Sequence, residues 1–78
     1  MTIDYRSIGK RVRANRTRQE LTQAELAEKT GMSDVYISYI ENARKRPSLD
    51  SLVKIAIVLD VSCDDLLFDV ARENSCVS

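Results

Sequence analysis

The apolar positions of this chain recur at helical intervals in a series of short stretches. Ile8 and Val12 lie four apart and predict one inward face on a first helix over residues 4–19. Leu26 and Ala27 give a second stripe over Gln23–Thr30. Ile37 and Ile40, three apart, give a third over Asp34–Asn42. Leu49, Leu52, Ile55, Ala56 and Leu59 mark a fourth, which opens after Pro47 with Ser48 as its cap. Val61 packs in the turn after it. Ser62 with Asp65 then forms a capping box for a short fifth helix carrying Leu66 and Leu67. Residues 53–61 are rich in branched side chains, yet they run at helical period between two serine caps, which predicts helix rather than strand. The expectation is an all-α, compact five-helix domain over 1–78. Its core covers about 5–68, and a polar extension over 69–78 frays.

Within this series, Thr22 to Asn42 carries the most information. Thr22 and Glu25 have capping-box spacing. Gly31 stands where a chain leaving a helix needs a residue that tolerates positive φ. Ser33 can cap the next helix. Ala27 is small enough to let that helix cross the previous one closely at a steep angle, and Ile37 and Ile40 wedge the crossing open. This is the arithmetic of a helix-turn-helix, whose second helix can lie in a DNA major groove. The plainer reading is a helical hairpin inside an ordinary small domain.

Composition narrows the classes. With 78 residues and 44% hydrophobic content, the chain forms one domain with a small core. It has no run of 18 apolar residues and no signal-like apolar segment at its start, so the expected location is the cytoplasm. There is no histidine, and the two cysteines, Cys63 and Cys76, form no C-x-x-C pair. A zinc site, a Cys–His nucleophile and a glycine-rich phosphate loop are therefore not expected, and neither is any cofactor or enzymatic activity. The net charge of zero hides an asymmetry. Residues 1–47 hold ten Lys/Arg and six Asp/Glu, whereas residues 48–78 hold two and six. A basic half and an acidic half suit a domain whose first part meets phosphate.

The sequence resembles the Cro and phage-repressor, or Xre-type, helix-turn-helix family. The resemblance rests on Leu21 to Leu26, Gly31 to Ser33, Tyr36 to Asn42, Pro47 to Leu52, and Val61-Ser62. It implies a lambda-repressor-like fold and a partner of double-stranded DNA. Three positions depart from the pattern: Glu20, Ala43 and Asp60 stand where such proteins often have glycine. All three are helix C-terminal positions, so a boundary shift is expected there, such as a longer first helix.

The face of the third helix opposite Ile37 and Ile40 carries Asp34, Val35, Ser38 and Tyr39, the candidate base contacts. Asp34 can accept from a cytosine amino group, Val35 can touch a thymine methyl, and Ser38 and Tyr39 can donate or accept. Asp34 also has a purely structural use, as a first-turn acid on the helix dipole. Gln23, Ser33, Asn42, Arg44, Lys45 and Arg46 are the candidate phosphate contacts. The resemblance further implies that Arg16 and Glu41 form an ion pair orienting the third helix. The cations of the first helix, Arg6, Lys10, Arg11, Arg13 and Arg18, read as a solvated face, and Gly9 within that helix has no reason legible in the sequence.

Two functions fit. The leading one is a transcriptional regulator, a repressor by its simplest mechanism, binding an approximately palindromic operator as a homodimer. The other is a helix-turn-helix module, antitoxin-like or cofactor-like, that docks on a partner protein. For the dimer, Ile57 and Val58 beside the core face of the fourth helix, with Leu67, Phe68 and Val70, offer more apolar surface than a small core needs. They are expected to form an isologous two-fold contact. The plainer alternative is that they close the bottom of the core.

Overall fold

The structure is a computed structural model and describes residues 4–67. Five helices follow in order: α1 (Tyr5–Arg18), α2 (Gln23–Thr30), α3 (Asp34–Glu41), α4 (Leu49–Leu59) and α5 (Cys63–Leu67). No strand occurs among the described residues. No helix among them is long and apolar enough to cross a membrane. Phe68 and Val70, two of the expected dimer residues, lie outside this range.

Helix starts follow the polar residues that the pattern marks. Asp4 accepts the backbone N–H of Arg6 and opens α1. Thr22 and Glu25 close a reciprocal capping box at 3.0 and 2.8 Å. Ser33 accepts the Tyr36 N–H at 3.1 Å, and Ser48 accepts that of Ser51 at the same distance. Ser62 and Asp65 form the second reciprocal box. Each bond satisfies a donor that a helix start leaves without an intrahelical partner.

Helix ends share one device. The chain leaves α1 through Glu20, α2 through Gly31, α3 through Ala43 and α4 through Asp60, and all four have positive φ, between 58 and 74°. In each case the next residue donates its N–H to the carbonyl five positions back: Leu21 to Arg16, Met32 to Ala27, Arg44 to Tyr39 and Val61 to Ala56. These are Schellman-type closures. Leu21, Met32 and Val61 then pack against the core. The expected lengthening of the first helix is thereby corrected. α1 stops at Arg18, and Glu20 adopts the left-handed conformation that glycine takes more cheaply.

The core comprises Ile8, Val12, Leu26, Ala27, Ile37, Ile40, Leu52, Ile55, Ala56, Leu59 and Leu66, all at most 6% exposed. Every helix contributes, so none holds its place without the others. Leu49 is a second correction. It shares the period of the α4 stripe, but it sits in the first turn and is 71% exposed. The core begins only at Leu52, one turn further in.

Gly9 has a clear cause. A Cβ built on it would lie 2.5 Å from the Ile40 carbonyl oxygen and 2.6 Å from that of Glu41. Both atoms are backbone at the end of α3, so α1 and α3 touch main chain to main chain and only a hydrogen fits between them. Two polar side chains tie the remaining ends. Gln19 donates to the Leu59 carbonyl at 2.9 Å, and Arg11 donates to those of Leu66 and Leu67 at 3.4 and 3.1 Å. Arg11 thus caps the end of α5 and is not part of a solvated face.

Candidate nucleic-acid interface

α2 and α3 pack across the Gly31 turn, with Ala27 and Ile37 buried at their crossing. α3 therefore has one fixed face and one free face. Ile37, Ile40 and Glu41 are buried. Asp34 and Val35 are exposed, Val35 at 54%, and Tyr39 is exposed at 38%. Ser38 is half-buried, and its hydroxyl lies 3.3 Å from the Asn42 amide, which also donates to the Ser38 carbonyl at 2.9 Å. These two candidates thus hold each other. An open groove of about 420 Å³ runs beside this face, bordered by Met32, Ser33, Val35, Tyr36, Tyr39 and Lys45. Its walls are apolar and aromatic, with one cation at the rim. Tyr36 lies deeper and turns its hydroxyl to Ser51 at 3.2 Å.

Three cations follow the free helix. Arg44, Lys45 and Arg46 are all exposed in the loop after α3. The Arg46 guanidinium stands 5.4 Å from the centre of the Tyr5 ring, a cation–π approach that ties the loop to α1. Ser33 is exposed, and its oxygen is occupied as an acceptor by the α3 cap.

Behind α3 lies a buried carboxylate. The Glu41 side chain is 0% exposed, and Arg16 grips it with two nitrogens, Nε to Oε2 at 2.6 Å and Nη2 to Oε1 at 3.0 Å. A third nitrogen of Arg16 donates to the Leu21 carbonyl at 2.7 Å, fastening the linker before α2. Two further donors reach Glu41: the Gln23 amide at 3.0 Å and Arg13 Nε at 3.4 Å. Burial alone pushes the Glu41 carboxyl up. Hydrogen bonds from Arg16, Gln23 and Arg13, with the Arg16 charge, outweigh it and hold the carboxyl below the usual glutamate value. Bidentate geometry of this kind fixes orientation more than it adds net stability. The Gln23 side chain is thus anchored inward at one amide hydrogen and is not wholly free for a phosphate.

Sequence reasoning did not find the Arg13 contact, because nothing local in α1 distinguishes Arg13 from its neighbours. It also missed an apolar stripe on α4. Leu49, Val53 and Ile57 follow one another at intervals of four and are 71, 38 and 72% exposed. Of the expected dimer residues, Ile57 belongs to this stripe. Val58 and Leu67 are half-buried and pack on the core. Among the described residues no group of His, Cys, Asp or Glu is arranged to hold a metal ion.

The family profile described as helix-turn-helix matches residues 12–66. The ImmF control region 10 kDa protein of Bacillus phage phi105 is 36% identical over 64 residues, covering 82% of this chain and 71% of its own. The transcriptional regulator SinR of Bacillus subtilis is 43% identical over 61 residues, covering 77% of this chain. This chain spans only 55% of SinR, about half that relative's length. The crystal structure of the P22 c2 repressor with a synthetic operator superposes with a TM-score of 0.74 at 35% identity, covering 77% of this chain and 91% of the repressor chain. With its five-helix lambda-repressor-like fold, the chain belongs to the Cro- and repressor-type helix-turn-helix family.

Proposed function

We propose that this protein is a sequence-specific DNA-binding transcriptional regulator, acting as a repressor without enzymatic activity. The observation that carries this reading is the two-sided build of α3. Its buried face is fixed by Ile37, Ile40 and Glu41, while Asp34, Val35 and Tyr39 stand free, with Lys45 at the rim of the groove that Val35 and Tyr39 border. Such a helix presents base-reading side chains at a set angle, and the exposed Arg44, Lys45 and Arg46 of the loop that follows it supply charge for phosphates. The P22 c2 repressor, solved on its operator, and the SinR structure solved with DNA support the same partner. Occupying a promoter is the simplest repression for a domain of this size. Its DNA partner and its bacterial and phage relatives support a place in the cytoplasm.

One reading helix contacts too few bases for useful specificity, so two copies work on an approximately palindromic site, one DNA turn apart. The α4 stripe of Leu49, Val53 and Ile57 supports a protein contact, and we assign it to the second copy. The same stripe is the feature that favours the alternative, a module docking on a different protein.

Selection from random duplexes tests the reading. Wild type should return a two-fold consensus. Val35→Ala and Tyr39→Ala should each change the preferred base at one position per half-site, by about 1–3 kcal/mol of discrimination. A protein that retains no duplex at low salt, or variants that return the wild-type consensus, would exclude this use of α3.

A further inference from the structure

We propose that Arg13 is a DNA-phosphate contact, held beside Gln23 by the carboxylate of Glu41, so that both close on one phosphate at the start of α2. The inference rests on the DNA-binding reading above and adds a site on α1 to it.

The geometry converges on a single atom. Glu41 Oε1 accepts from Gln23 Nε2 at 3.0 Å, from Arg16 Nη2 at 3.0 Å and from Arg13 Nε at 3.4 Å. Groups that share one acceptor oxygen are close neighbours, near enough for the oxygens of one phosphate to span. Charge then separates the two arginines. Arg16 is 11% exposed and bidentate, so it neutralises Glu41. Arg13 is 54% exposed and touches the same carboxylate by one long bond, so its charge is surplus and faces water. Buried Arg16 serves the fold, and exposed Arg13 remains for an anion.

The donors around it point to an anion as well. The four Nη hydrogens of Arg13 and the second amide hydrogen of Gln23 have no protein acceptor among the described residues. Gln23 is the first residue of α2, where the backbone N–H groups of Gln23 and Ala24 have no carbonyl within the helix to receive them. The one acid in that turn, Glu25, is committed to the Thr22 N–H at 2.8 Å. A guanidinium, an amide and the positive end of a helix thus meet at one place. A phosphodiester supplies the two or three acceptor oxygens that they lack.

Fluorescence anisotropy against the selected operator and a random duplex, over a salt series, tests this. Arg13→Gln should weaken both duplexes alike and lower the salt slope by about 0.9, one phosphate's worth. Arg13→Lys, which keeps the charge, should restore the slope, and Lys54→Gln on α4 should leave it unchanged. In a double-mutant cycle, Arg13→Gln and Gln23→Ala should together lose less than the product of their separate fold-losses, because they share one phosphate. Thermal melting of Arg13→Gln should stay near wild type, since Arg16 and Gln23 still hold Glu41. An unchanged slope in Arg13→Gln, an equal loss in Lys54→Gln, or strict additivity with Gln23→Ala would overturn the shared site. Wild type that binds no duplex would instead overturn the DNA-binding reading on which it rests.

Discussion

Gly9 and Glu41 decide where α3 points. Alanine at a helix interior normally gains about 1 kcal/mol over glycine. At position 9 the added carbon would meet two backbone oxygens at 2.5 and 2.6 Å, and neither can rotate away. Overpacking against a main chain costs about 1–3 kcal/mol. Gly9→Ala is therefore expected to lower the urea midpoint, against the propensity trend, and to weaken duplex binding by displacing the end of α3. A midpoint at or above wild type would show that the two helices have slack. Glu41 gives a pH dependence of known sign. Its folded value lies below the ordinary glutamate value, so its contribution is present above that ordinary value and is lost as pH falls through the folded one. Asp4, through the Arg6 N–H, and Glu25, through the Thr22 N–H, shift the same way at exposed positions and add little. Urea midpoints taken from about pH 7 down to about pH 3 should hold steady and then fall. A midpoint that does not fall in acid would remove Glu41 from the stability of the native state.

At the scale of elements, local chemistry explains what was legible in the sequence. Thr22, Ser33, Ser48 and Ser62 announce helix starts through bonds that span three residues, so a reader of the chain sees both partners at once. Ile37 and Ile40 likewise report their face by spacing alone. What stayed hidden depends on distant partners. The constraint on Gly9 comes from the backbone of residues 40 and 41, and the company of Arg13 comes from Glu41. Leu49 obeys the period of α4, but the core does not extend to the first turn, and only the packing of the other helices says so. Helix ends were half legible. Glu20, Ala43 and Asp60 hold the glycine positions and keep the glycine conformation, because the closing bond outweighs the local strain, helped after Glu20 and Asp60 by the apolar Leu21 and Val61. That strain is recoverable. Ala43→Gly, at φ 59°, should stabilise the domain by about 0.5–1 kcal/mol, the left-handed penalty less the extra entropy of the unfolded chain. Chemical denaturation checks it, and a loss of stability would mean that the Ala43 methyl packs better than its exposure implies.

For the whole molecule, the α4 stripe gives assembly a specific surface. Leu49 and Ile57 are about 70% exposed, so Leu49→Ser with Ile57→Ser should leave the fold intact. Sedimentation at micromolar concentration is expected to show a wild-type dimer and a monomeric double variant, with operator binding falling far more than binding to an isolated half-site. A double variant that stays dimeric would move the contact to another face. Finally, the two-sided build of α3 separates the work of folding from the work of reading. The side chains that set the angle of α3 and those that stand free on it share no position. On the proposed use of this face, Val35 and Tyr39 can therefore be exchanged as a pair, as letters in a fixed frame. Descendants of this domain can acquire new operators by a few substitutions without first drifting through unstable intermediates, and a laboratory can retarget it by the same route.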